Sequence, residues 1–318
     1  MDEKPLMKRT LSLLIAGAML LFMMPQAVLA DNQVGVLSNF VTAPVAGLSA
    51  EGVVSQGQTY YVSTIGFTAT NGTIFVFDSK GDLTGSYNLP GLPVVGQATI
   101  YTDDLFVVAC TATMTGGAVV KIDLTTGAVN TNFAPIPSGC PNGLTSDVHG
   151  NLYAANFAGS IDKVTQSGQV TLNWATGGLL TPGNLMGFII GPNDIIYNPG
   201  QNALYTTNTG TNTVVKIQIN ADGSAGAMSA YATVSGPDGL AFDAHGDLYV
   251  ASPFANTVFL VSPGGSSVTA MTFTGTETLD GPSAVILHGN NMYITNLNLA
   301  LSHSSGYIAV APVRFPAS

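Results

Sequence analysis

"GPDGLAFDAHGDLYVAS", residues 236–252, and "CPNGLTSDVHGNLYAAN", residues 140–156, are two settings of one pattern. Each opens on a proline, a polar residue and a glycine. Each then runs through a short apolar strand to a turn built on Asp, His and Gly, and returns as a second strand. The main change is at the opening, where Asp238 in one copy is Asn142 in the other. Four more copies follow the same plan: "AEGVVSQGQTYYVST" from Ala50, "GQATIYTDDLFVVACT" from Gly96, "PNDIIYNPGQNALYTTN" from Pro192 and "PSAVILHGNNMYITN" from Pro282. Aligned on the polar opening, their second residues are Glu51, Gln97, Asn142, Asn193, Asp238 and Ser283, at separations of 46, 45, 51, 45 and 45.

A third strand, and usually a fourth, follows each pair, as in "TVFLVSPGGSSVTAMTF" from Thr257. Four short strands repeated at this period describe a β-propeller blade, whose two apolar faces are buried only by its neighbours. Six copies predict an all-β, six-bladed propeller. The last copy is short, with 35 residues after Ser283, enough for three strands ending in "GYIAVAPV". The missing strand is available at the other terminus. "QVGVLSNFV", residues 33–41, alternates apolar and polar residues and is expected to pair with "YIAVAPV" and close the ring. No polar linker interrupts the repeats, so residues 31–318 read as one domain.

The first thirty residues stand apart. Lys4, Lys8 and Arg9 precede the apolar run "LSLLIAGAMLLFMM", and "PQAVLA" ends in small residues. This is the pattern of a secretory signal with cleavage after Ala30. The expectation is an exported protein, periplasmic or extracellular, with no membrane segment after cleavage, and a monomer. Beyond the leader the chain has 5 Lys+Arg against 16 Asp+Glu, the totals of 8 and 18 less three and two in the leader. Such a surface repels phosphate backbones, which excludes nucleic acid as a partner and suits a small neutral molecule or a cation. An even cysteine count in an exported chain favours a disulfide. Cys110 ends the second strand of blade 2 and Cys140 precedes the first strand of blade 3, so both map to one rim; two buried thiols are the alternative reading.

In a propeller the first strand of each blade lines the central channel, so one repeat position forms a ring at one height. Here all six positions of the expected ring carry a side-chain oxygen. Carboxylate, amide and hydroxyl oxygens are the ligands of a hard cation, calcium before magnesium or manganese. The same residues also suit a wet channel lining. Asn156, Asn208, Ser252 and Asn296, at the ends of second strands, either offer hydrogen bonds to a small polar ligand or cap their strands. Asp147, Asp243, His149, His245 and His288 fall in turns at the far end of the blade and read as turn formers. His303, in "LSHSSG", is a candidate base or lid if its loop overhangs the mouth.

The chain resembles the senescence marker protein (regucalcin) and gluconolactonase group of six-bladed propellers. The resemblance rests on "AEGVV", "PNGLTSD", "PND" and "PDGLAFDAHGDLYVA". It implies one divalent metal (calcium, zinc, manganese or magnesium) held by Glu51, Asn193 and Asp238, with Asn142 as a further asparagine beside the substrate, and lactone or ester hydrolysis as the chemistry. Asp238 would then serve as both ligand and general base. One departure concerns substrate: where sugar lactonases carry an arginine two residues before that asparagine, this chain has Cys140. The competing reading is a non-catalytic propeller of the NHL type that binds a small ligand or a protein on one face.

Overall fold

The computed structural model describes residues 34–185 and 187–313. The expected leader, residues 1–30, lies outside the described residues. The described chain is almost entirely β, arranged as six four-stranded blades around a channel. The innermost strands are Ser49–Gln56, Val94–Tyr101, Pro141–Ser146, Pro192–Asn198, Leu240–Phe242 and Pro282–His288. Each blade is an antiparallel meander, as in blade 3, where Pro141–Ser146, Leu152–Asn156, Ser160–Val164 and Val170–Thr176 follow in spatial order.

The ring closes as the sequence predicts. Val34–Thr42 pairs antiparallel with Tyr307–Pro312, in the register Ser38 with Val310 and Thr42 with Tyr307, and so supplies the fourth strand of blade 6. A further strand extends this sheet. Thr272–Gly275, which continues from blade 5, pairs parallel with the outer edge of Val34–Thr42 and covers what would otherwise be an open edge.

Between blades the chain is packed by a repeated aromatic. The second strand of each blade carries Tyr61, Phe106, Tyr153, Tyr205, Tyr249 or Tyr293, all buried. Each belongs to a different apolar cluster, and each cluster joins its blade to the next. Tyr153, for example, packs with Leu204, Val215 and Ile217 of blade 4. Tyr293 packs with Val53 and Phe75 of blade 1, so the sixth interface closes on the same chemistry as the other five. Burying one side chain of this size contributes roughly 1.5–3 kcal/mol.

The separation of 51 between the third and fourth copies has its cause in an insertion. Residues 177–185 and 187–191 supply a turn and two short paired strands, Gly183–Leu185 with Phe188–Ile190, before the inner strand of blade 4 begins. First strands run away from the mouth and second strands return to it. This hairpin, which follows a fourth strand, therefore lies on the mouth face.

Candidate functional site

In five blades the ring residue is positioned by a β-bulge at the head of the inner strand, and in blade 5 Asp238 stands two residues before Leu240–Phe242, its N–H donating to the Ala251 carbonyl at 2.8 Å. In blade 3, Pro141 pairs with Asn156 and Gly143 with Ala155, which leaves Asn142 unpaired and turned out of the ladder. Ser283 is placed the same way between Pro282 and Ala284. Hairpin register identifies the equivalent residues elsewhere. In blades 1, 4 and 6 the pairs closing the hairpin are Gln56 with Thr59, Asn198 with Ala203 and His288 with Asn291, and the ring residue stands five positions before the first of each pair. In blade 2 the closing pair is Tyr101 with Asp104, so the ring residue is Gly96.

Gln97 is therefore one residue past the ring, which corrects the expectation of six oxygen donors. The reason is space. A Cβ on Gly96 would lie 2.2 Å from the carbonyl oxygen of Asn142, so blade 2 has no room for a side chain here. Gln97 instead turns its amide to the Glu51 carbonyl at 3.4 Å. Ser283 is in the ring but is committed elsewhere. Its hydroxyl reaches the carbonyls of Ala50 at 3.0 Å and Glu51 at 2.9 Å and the Thr295 hydroxyl at 3.0 Å, which ties blade 6 to blade 1.

Four blades remain open: Glu51, Asn142, Asn193 and Asp238, all buried. Asn142 Oδ1, Asn193 Oδ1 and Asp238 Oδ1 have no hydrogen-bond partner. For Asn193 the orientation has a visible cause. Its Nδ2 donates to Thr209 Oγ1 at 3.0 Å, and Thr209 donates in turn to the Pro237 carbonyl, which leaves Oδ1 free. Buried oxygens without partners are costly, about 1–3 kcal/mol each, and native structures keep few of them.

The charges are strained in the same direction. Burial pushes the Glu51 carboxyl up to about 7; a side-chain hydrogen bond from Asn142 opposes this and the charge of Asp194 adds to it. Asp238 is raised well above the usual carboxylate range, first by burial, then by Glu51 and Asp194. Asp194 was not among the residues singled out from the sequence. Burial raises it to about 7, against the pull of backbone N–H groups from Ile195 and Leu240, both 2.8 Å from its oxygens. Through Leu240 it fastens blade 4 to the strand that follows Asp238. Its signal lay in the position after the ring residue, which is Gly or Ala in four blades (Gly52, Gly143, Gly239, Ala284) and acidic only here.

Carboxylates crowded without a counter-charge, beside amide oxygens without donors, fit a hard divalent cation. Among the described residues no three His, Cys, Asp or Glu side chains gather as a ligand group. The set is instead two carboxylates with two amides, which suits calcium, magnesium or manganese better than zinc.

The remaining candidates are committed to the scaffold to different degrees. Asn156 donates to the Ser138 carbonyl at 3.0 Å and to Asp162 at 3.1 Å, and accepts from Ala158 N at 3.1 Å, so both ends of its amide hold a loop. Ser252 and Asn296 likewise bind local backbone. Asn208 donates to the carbonyls of Leu179 and Thr181, both at 3.0 Å, and its buried Oδ1 has no partner. The turn aspartates act as read: Asp147 accepts from His149 N and Asn151 N at 2.9 Å, and Asp243 from His245 N and Asp247 N at 2.9 Å. His303 lies on the mouth face, stacked 3.9 Å from the Tyr307 ring with Nε2 3.2 Å from Glu277 Oε2. Cys110 and Cys140 form a disulfide, Cα to Cα 5.4 Å, pinning blades 2 and 3 at the rim.

Known proteins agree with this architecture. The sequence profile described as the SMP-30/Gluconolactonase/LRE-like region matches residues 50–298, and the chain belongs to that family. The family includes enzymes, among them gluconolactonase. No curated protein sequence matches. Among solved structures, a calcium-binding regucalcin from Agrobacterium tumefaciens is similar at 16% identity, with 90% of this chain and 98% of that one covered and a TM-score of 0.64. A catalytically inactive virginiamycin B lyase from Staphylococcus aureus, bound to quinupristin, is similar at 16% identity over 88% and 89%, TM-score 0.57. An auxiliary nutrient binding protein from Bacteroides thetaiotaomicron is similar at 9% identity over 90% and 78%, TM-score 0.64. Likeness at these identities concerns the fold.

Proposed function

We propose that the protein is an exported, divalent-cation-dependent hydrolase of a lactone or related ester, acting at the channel mouth. The observation that carries this reading is the cluster of unpartnered buried oxygens on Asn142, Asn193 and Asp238 beside the Glu51 carboxyl. A cation held by Glu51, Asn193 and Asp238 would polarise a substrate carbonyl and acidify a neighbouring water. The protein's own contributions are separable from that. Asn193 is fixed by Thr209, and Asp238 is anchored through its backbone, its carbonyl accepting from Thr207 Oγ1 at 2.8 Å. Asp238, a ligand of that cation and a neighbour of its water, would be the group to take the water's proton; burial raises its carboxyl in the metal-free protein, and a bound cation would draw it back down. Asn142 Oδ1 and Asn208 Oδ1 are the acceptors left to orient a substrate. Asn156 has no free group for this.

In the test, Asp238→Asn abolishes turnover of a lactone panel while the far-UV spectrum and melting cooperativity stay those of the wild type. Retained turnover in a folded variant removes Asp238 from the chemistry. The nutrient-binding structure of the same shape gives the second reading, a binding propeller. A wild type that binds calcium and lactones but cleaves none would favour it.

A further inference from the structure

Half of the large apolar side chains that the described residues expose sit on one face, the mouth. Val45 lies in the connection from blade 6 to blade 1, Phe67 in a loop of blade 1, Leu301 in a loop of blade 6, and Leu179, Phe188 and Ile189 in the insertion between blades 3 and 4. Both exposed phenylalanines are among them. Ile189 is 65% exposed, Leu301 78% and Phe188 42%.

Their placement is not scattered. The Val45 connection hydrogen-bonds the Leu301 loop through Gly47 N to the Ser304 carbonyl, and Leu48 crowds the loop that bears Phe67. These three form one bank over blades 6 and 1. The insertion forms the other bank. Asn208 holds it down through Leu179 and Thr181, and Gly183 packs on Gly210 in the turn that follows Asn208. In a ring of six, blades 3 and 4 stand across the channel from blades 6 and 1. The open oxygens of the ring lie between the two banks.

Charge points the same way. The described lysines are Lys80, Lys121, Lys163 and Lys216, and no arginine is described. Lys80 lies in a turn at the far face. Lys121 pairs with Asp104 at 2.8 Å, Lys163 binds the Gly223 carbonyl at 3.2 Å and Lys216 binds Gln201, all at the end of the blade away from the mouth. Among the described residues the mouth therefore offers no lysine or arginine to a carboxylate, phosphate or sugar acid, and its histidine, His303, faces Glu277 at 3.2 Å. The mouth offers apolar surface on both sides of a polar centre.

We infer that the substrate is an uncharged lactone or ester with a medium-length alkyl or aryl chain, its polar head at the oxygen ring and its chain on the hairpin bearing Phe188 and Ile189. This rests on the proposed hydrolase reading for the reaction and on the surface alone for the chain. The experiment separates the two. Five-membered lactones bearing alkyl chains from none to eight carbons are assayed for turnover, and the matching lactams, which resist hydrolysis, are titrated by calorimetry in the presence of Ca²⁺. Lactam affinity is expected to rise by up to about fourfold per methylene that reaches the hairpin. In Phe188→Ser with Ile189→Ser that slope flattens, while Val148→Ser, an exposed apolar side chain on the opposite face, leaves it unchanged. A flat slope in the wild type, or an unaltered slope in the hairpin variant, overturns the inference even if short lactones are hydrolysed. A slope that depends on the hairpin with no turnover of any lactone upholds the seating of the chain on the hairpin and overturns the hydrolase.

Discussion

Blades 3 and 5 present a free amide or carboxylate oxygen to the channel, whereas blades 2 and 6, built on the same inner strand, present none. Blade 2 has Gly96 because the Asn142 carbonyl fills the space. Blade 6 has Ser283, whose hydroxyl is turned back to staple the ring shut. The contrast shows that repeat symmetry builds the scaffold and that its breaking builds the site. Donors are confined to blades 1, 3, 4 and 5, so Glu51 faces the three adjacent blades that carry Asn142, Asn193 and Asp238 across the channel, and the ring is not uniform.

The sharpest way to break this contrast is calorimetric titration with Ca²⁺. Glu51→Gln is expected to weaken binding on the order of 100-fold, since ligand charge dominates affinity for a hard cation. Ser283→Ala should alter it by less than about threefold. Equal losses would mean that all six ring positions face one centre. Acidity sharpens the same contrast. Glu51 titrates near 7 in the fold against an ordinary 4.5, so the native state keeps its proton after the unfolded chain has lost it. Stability of chelator-stripped protein is therefore highest at the acid end of this window. It should fall as pH rises from about 4.5 through 7, by on the order of 2–3 kcal/mol, and Ca²⁺ should restore it. Melting curves at pH 5 and pH 8 check this. Glu51→Gln should reduce the difference, with the raised carboxyls of Asp194 and Asp238 supplying the remainder, and Ser283→Ala should leave it in place. The smallest effect expected is that of Gly96→Ala, about 1–3 kcal/mol of lost stability from overpacking against Asn142, read as a lowered midpoint in urea. A neutral result would show that the blade 2 position has room for a donor after all.

The fold was legible because the inner strand, the turn and the aromatic return strand recur at nearly constant spacing. Even the strand exchange at the termini showed in the shortened last copy. The slip at Gln97 came from aligning on polarity. Counting back from the two-residue turn Thr102–Asp103, which matches Gly57–Gln58, gives Gly96. Other features left no mark that a single repeat could show. Ser283 is spent on the backbone of the adjacent blade and Asn156 on the loops around its own strand, which depends on how those segments fold back in space. The parallel addition of Thr272–Gly275 to blade 6 has no local pattern, since its partner lies more than two hundred residues away.

That pairing of distant segments has a consequence for how the molecule is made. Val34–Thr42 completes a sheet whose other strands are synthesised more than two hundred residues later, so blade 6 cannot assemble until Tyr307–Pro312 has been released. Blades 1 to 5 can stack as they emerge, but blade 6 must wait for Tyr307–Pro312, and contacts of this range make folding slow. The opening segment therefore stays unpaired through synthesis. That delay makes this segment the place where a trimming protease would be most damaging.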